Sequence, residues 1–173
     1  MSGVRLMSRT TERARRVAER VTDPELPMLT LVDLGVLREV EVVGDSHVVV
    51  DITPTYSGCP AMATMRDDLV RELQGAGFHR VEVRVSLDPA WTTDWITPRG
   101  RAALAAAGIS PPGPAPSTSG PIPLTLQPTA RQVRCPQCDS PATELVSEFG
   151  STACKAQYRC VACLEPFDHV KEI

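Results

Sequence analysis

His47-Val48-Val49-Val50-Asp51-Ile52-Thr53-Pro54-Thr55-Tyr56-Ser57-Gly58-Cys59-Pro60 changes character twice within fourteen residues. Val48, Val50 and Ile52 share one face of an alternating run, so residues 47–53 predict a strand. Residues 54–58 form a loop containing a glycine. Beyond Pro60, Met62, Met65, Leu69 and Leu73 recur at helical spacing, so residues 60–74 predict a helix with a buried stripe. Core packing accounts for that stripe better than a methionine-lined cofactor pocket. Upstream, the Val-rich residues 36–43 and the turn signal Gly44-Asp45-Ser46 complete a hairpin with the first strand. Downstream, Val81, Val83, Val85 and Leu87 alternate with Glu82, Arg84 and Ser86, the clearest strand in the chain. A helix over 11–21 precedes all this, with Ala14, Val17, Ala18 and Val21 on one side and Pro24 as its stop. Residues 29–34 predict a short helical turn ended by Gly35, and residues 98–107 a last helix with Pro98 in its first turn. The order α-β-β-α-β-α over residues 11–109 predicts a small α+β domain with a mixed sheet.

The chain has 173 residues, room for one such domain and a small module. Seven of the sixteen prolines fall within residues 111–128, so 110–128 reads as a stiff, extended linker. Residues 129–173 form the second module. A hydrophobic share of 42% permits a real core, and an aromatic share of 4% makes that core aliphatic. The net charge of −3 names no partner. Residues 1–22 carry six Arg against two Glu, which reads as a solvated helix face. Residues 129–173 carry five basic and six acidic side chains, which argues against a nucleic-acid-binding ribbon. No apolar stretch approaches the ~20 residues that span a bilayer, and residues 1–10 lack the apolar region of a signal peptide. A cytoplasmic protein is expected, with neither membrane nor nucleic acid as partner. In that compartment paired cysteines point to metal or redox work.

Cys59 is the first of six cysteines and stands alone until residue 135. Pro60 suits a first helical position, which would put Cys59 at or near a helix N-cap, where free N–H groups and the helix dipole favour a thiolate. Gly58 lets backbone approach whatever the sulfur holds. A buried, inert cysteine remains the competing reading. Three familiar cysteine chemistries fit poorly. A thioredoxin-like pair would need a cysteine where Met62 stands. A phosphatase loop would need an arginine one residue before Arg66. A Cys–His hydrolase would need His47 or His79 as base, and both lie in or beside strands. Binding a soft metal species needs only the thiolate and one carboxylate. Asp23 and Glu25, flanking Pro24, could supply the carboxylate or be ordinary loop acids.

Cys135-Pro136-Gln137-Cys138 and Cys160-Val161-Ala162-Cys163 are two C-x-x-C knuckles. Each turn brings two sulfurs to one ion, and together they predict a tetrahedral four-sulfur site for zinc, with a single iron as the alternative. Four thiolates leave no open position, so the expected role is a folding staple for a β ribbon. Cys154, six residues before Cys160, could replace a ligand, be a reactive thiol beside Lys155, or pack inside the ribbon.

Asp23-Pro24-Glu25, Val32-Asp33-Leu34-Gly35 and the segment from Thr53 to Pro60 resemble the small α/β domain of iron–sulfur cluster assembly factors. The runs 87–96 and 148–156, the two knuckles and Pro166-Phe167-Asp168 narrow the likeness to the D-subunit family of the bacterial phenylacetyl-CoA ring 1,2-epoxidase system. That resemblance implies a role in aerobic phenylacetate catabolism, a form of aromatic compound degradation. It implies an accessory, non-enzymatic subunit that helps place an iron–sulfur cluster in the oxygenase or the reductase. The alternative is a structural adaptor of the same complex. The family's cysteine falls on Cys59 and its acids on Asp23 and Glu25. A transient cluster or iron would sit there, with a second protomer's Cys59 as one potential partner. The chain ends in His169-Val170-Lys171-Glu172-Ile173, with no final cysteine of the kind expected in relatives.

Overall fold

A computed structural model describes residues 9–44, 46–56, 58–115 and 132–173. Two compact units emerge. The first holds the described residues up to Trp91 together with Trp95–Thr97; the second holds Thr92–Asp94 and the described residues from Pro98 to Ile173.

In the first unit, helix α1 (Arg9–Ala18) is followed by β1 (Leu37–Val43), β2 (His47–Ile52), α2 (Met62–Gly75) and β3 (Arg80–Val85). The sheet order is β1-β2-β3, antiparallel between the first pair and parallel between the second, which makes it mixed as expected. Gly44 at φ +66° turns the chain between β1 and β2, a conformation that disfavours a side chain. β2 is central and buried on both faces: Val48, Val49, Val50 and Ile52 are all in the core. α2 buries Met65, Leu69 and Leu73, the expected stripe. Each such side chain contributes about 2 kcal/mol of hydrophobic stabilisation. Ala14 and Ala18 of α1 and Val21 just after it join the same core.

Residues 29–34 form hydrogen-bonded turns, with Leu34 N–H donating to Thr30 O and Gly35 N–H to Val32 O. Asp33, almost fully buried, accepts from the Thr30 N–H at 3.0 Å, the Thr30 hydroxyl at 2.7 Å and the Thr97 hydroxyl at 3.1 Å. Gly35 has φ +70° and lies under Trp95, while the Trp91 indole donates to Leu34 O at 2.8 Å. The two tryptophans thus lock the turn that feeds β1.

The second unit begins with a 3₁₀ turn over Thr93–Trp95, of which Thr93 and Asp94 belong here, and α3 (Pro98–Ala106). It continues with β4 (Thr143–Ser147), β5 (Lys155–Cys160) and β6 (Pro166–Val170), an antiparallel sheet in that order. Local periodicity assigns the last helix to the first domain and starts the linker at residue 110. In the structure α3 clusters with the ribbon, and Ser110 bonds into it: its N–H donates to Asp168 O, and Val170 N–H donates to Ser110 O. Gly113 N–H also donates to the Glu172 carboxylate. Backbone hydrogen bonds to a distant strand leave no mark on local periodicity. Residues 116–128 of the expected linker lie outside the described residues.

Candidate functional site

β2 ends at Ile52, and the chain leaves the sheet through Thr53, whose N–H donates to Val36 O at 2.9 Å. It then turns back at Tyr56, whose carbonyl accepts from Cys59 N–H at 3.2 Å. A Cβ on Gly58 would stand 3.3 Å from the Tyr56 ring, so glycine lets this loop close tightly. The Cys59 carbonyl in turn accepts from Met62 N–H.

Cys59 lies near the N-cap of α2, two residues before it, and not at it. α2 begins at Met62, its N-cap is Ala61, and that residue makes no side-chain cap. Pro60 sits in the preceding turn, and Cys59 precedes the helix by a full turn of chain. The half-buried Cys59 thiol is pushed above its ordinary range, against the expectation of a favoured thiolate. Burial is the largest cause, and the negative charges of Glu25 and Asp23 add to it. The Ala61 N–H and the Thr55 hydroxyl donate to the sulfur and act in the other direction, without winning. These surroundings favour the neutral thiol over the thiolate. Thr55 escapes sequence reasoning; its only signal is a hydroxyl four residues before a loop cysteine.

Asp23 and Glu25 act on this thiol through their charge although they lie more than thirty residues upstream. The Thr22–Thr30 β-bridge and the Asp23 N–H to Leu29 O bond fold residues 22–30 back on themselves. The Asp23 carboxylate accepts from the N–H of Glu25 at 2.7 Å and of Leu26 at 2.8 Å, which fixes the acidic turn. Asp23 is thus a loop-capping acid as well as a charge near the sulfur. Among the described residues, the one group of three or more ligand side chains with donor atoms all within 4.8 Å lies elsewhere. Cys59, Asp23 and Glu25 do not form a closed cage.

That converged group is Cys135, Cys138, Cys160 and Cys163. The Cys135 and Cys163 sulfurs are 3.7 Å apart, and those of Cys138 and Cys160 are 3.6 Å apart. A tetrahedral zinc with Zn–S bonds of about 2.3 Å places its sulfurs about 3.8 Å apart. The donor set therefore fits zinc, which supplies a structural cross-link between the two knuckles. Backbone N–H groups of Cys163 and then Ala162 point at the Cys160 sulfur and lower its pKa to about 6, against its burial. Asp139 and Leu164, the residues following each knuckle, take left-handed conformations at φ 58° and 66°. Val133, Ala156, Tyr158 and Phe167 form a small core around Cys135 and Cys160, with the two rings stacked at 6.0 Å.

Cys154 is not in the four-sulfur group. Its half-buried thiol lies 3.1 Å from the Thr152 hydroxyl, and its carbonyl accepts from Lys171 N–H. The neighbouring Lys155 is buried, and its ammonium donates to the Ser151 hydroxyl at 3.3 Å.

Comparison with known proteins covers both units. Residues 12–90 match the family model for an iron–sulfur cluster assembly protein, and residues 120–171 match that for the PaaD zinc beta ribbon domain. The chain is 48% identical over 152 residues to the D subunit of 1,2-phenylacetyl-CoA epoxidase of Escherichia coli (strain K12), covering 88% of this chain and 87% of that protein. It is 30% identical over 89 residues to an Fe-S protein maturation auxiliary factor of Porphyromonas gingivalis (strain ATCC BAA-308 / W83), covering 51% of this chain and 84% of that one. Among solved structures, a DUF59 domain from Bacillus anthracis superimposes with a TM-score of 0.51 at 26% identity, covering 54% of this chain and 90% of that one. With an iron–sulfur assembly domain, a four-cysteine ribbon and this degree of identity along nearly its whole length, the chain belongs to the family of phenylacetyl-CoA epoxidase D subunits.

Proposed function

We propose that this chain serves a phenylacetyl-CoA epoxidase as a non-catalytic maturation factor, with Cys59 holding iron or an iron–sulfur cluster briefly before handing it to the oxygenase or reductase subunits. One observation carries the reading: a single half-buried thiol, outside any closed ligand set among the described residues, feels the negative charge of two carboxylates, Glu25 and Asp23. The E. coli relative bears the name of an epoxidase component, and the P. gingivalis relative that of a maturation factor.

The chemistry is ligand exchange without redox change. An arriving iron centre is positive, so Glu25 and Asp23, which disfavour the bare thiolate, favour the loaded one. The Cys59 proton leaves to solvent as the sulfur–iron bond forms. On transfer, a client thiolate takes the iron, and the proton returns to Cys59. One sulfur with mixed oxygen neighbours holds such cargo weakly, as delivery requires. Cytoplasmic action is supported by Cys59 and Cys154, unbridged thiols outside the four-sulfur metal group, which suit a reducing compartment. No described helix is long and apolar enough to cross a membrane.

The test is anaerobic reconstitution of the wild type and of Cys59→Ser, followed by cluster transfer to apo-reductase. Transfer is expected from the wild type and not from the variant. Equal transfer by both would discard the role of Cys59. A stable stoichiometric complex whose epoxidase activity ignores the substitution would make the chain an adaptor instead.

A further inference from the structure

β3 is the outer strand of the first unit's sheet, and among the described residues it pairs with β2 alone. Ser86 N–H donates to Ile52 O. Backbone groups alternate in direction along a strand, so Arg80, Glu82 and Arg84 also direct their N–H and C=O toward β2. Val81, Val83 and Val85 direct theirs outward, away from the sheet. An edge of this kind is a template for another strand.

We propose that β3 is a self-association edge, on which a second copy of this chain lays its own β3 antiparallel with Val83 opposite Val83. Three features of the strand favour a second copy over an unrelated partner. The first is backbone parity. A two-fold axis at Val83 makes Val83–Val83, Val81–Val85 and Val85–Val81 the closely hydrogen-bonded pairs, and these are the residues whose groups face outward. The second is charge. The same register sets Glu82 of each copy across from Arg84 of the other, twice over, and opposite charges across a strand pair stabilise it. Within one copy the Glu82 carboxylate already holds the Arg84 guanidinium at 2.7 Å and has a His47 ring nitrogen at 3.4 Å, so it lies where a partner's Arg84 would meet it. The third is apolar area. Val81, Val83 and Val85 align with the buried Val48, Val50 and Ile52 on one face of the sheet. Yet Val85 is 46% exposed, and a partner's Val81 would cover it. Two three-stranded sheets would then become one sheet of six strands, with the isologous symmetry usual in dimers.

The register makes a specific demand on charge. Glu82→Arg puts cations at both paired positions of a homodimer, and Arg84→Glu puts carboxylates at both. Each variant alone should run as a monomer. Mixed in equal amounts they should pair, because each chain now complements the other. The double variant Glu82→Arg/Arg84→Glu should pair with itself. The measurement is sedimentation equilibrium of the full chain with metal retained, with thermal unfolding to confirm that each variant is folded. A wild-type mass twice 18.7 kDa is expected. A monomeric wild type at chain concentrations up to about 1 mM, where even a weak complex forms, would overturn the proposal. So would single variants that dimerise as the wild type does, or a mixture that stays monomeric.

Discussion

Replacing Gly35 by alanine should cost far more than the same change at Gly44, although both glycines lie in the left-handed region at φ +70° and +66°. The backbone contribution is shared: a left-handed residue with a Cβ costs about 1–2 kcal/mol, partly offset by alanine's smaller loss of chain freedom on folding. The surroundings differ. A Cβ on Gly44 would meet nothing within 4 Å, whereas one on Gly35 would lie 2.5 Å from Trp95 Cβ and 2.8 Å from its carbonyl oxygen. Neither atom is the free end of a flexible side chain. Trp95 would have to shift, and it carries the guanidinium of Arg38 on its ring at 3.7 Å. Overpacking of that kind adds about 1–3 kcal/mol. Gly44→Ala should therefore cost about 1 kcal/mol and Gly35→Ala about 3 kcal/mol, a large part of a small domain's stability. Urea unfolding followed by tryptophan emission reads this directly, since Trp91 and Trp95 are the chain's two tryptophans and both belong to this turn. With a slope of about 1.5 kcal/mol per molar urea, Gly35→Ala should lower the midpoint by about 2 M. Equal midpoints for the two variants would refute the close-approach argument.

Three other outcomes follow from the sites. Iron loading at Cys59 should strengthen as pH rises toward the thiol's elevated pKa, by about tenfold per unit because one proton leaves per sulfur–iron bond; titration of anaerobic protein with ferrous iron at several pH values checks it, and a flat profile would deny the protonated thiol. Cys160→Ser should abolish zinc retention and unfold β4, β5 and β6, seen as zinc near zero by elemental analysis and loss of amide protection in residues 143–170, while the first unit's protection persists. Asp33→Ala strands the Thr30 N–H that the carboxylate now satisfies. It should destabilise the first unit by about 2–3 kcal/mol in the same urea assay.

The parts legible from sequence share a physical character. The stripe Met65-Leu69-Leu73 lies on one helix face because its spacing matches the helical repeat, and the alternation around Val81, Val83 and Val85 matches the strand repeat. The knuckles Cys135–Cys138 and Cys160–Cys163 declare a metal site because two residues between cysteines suffice for one turn to present both sulfurs. The state of Cys59 is illegible for a reason of the opposite kind. Pro60 suggests a helix start one residue on, and a thiolate with it. The helix begins later, at Met62, and the burial that raises the thiol comes from the folded surroundings of the loop.

By itself, the order of residues determined the α-β-β-α-β succession of the first unit, the four sulfurs of the ribbon and the presence of one thiol at a strand-to-helix junction. These rest on interactions between residues a few positions apart, whose geometry the chain cannot escape. Only the tertiary structure decided that α3 and Ser110 belong with the ribbon, that Trp95 closes over Gly35, and that Glu25 and Asp23 bring negative charge to Cys59. Each of these depends on which distant surfaces bury one another, and the protonation of a thiol follows the solvent and charge that such burial leaves around it.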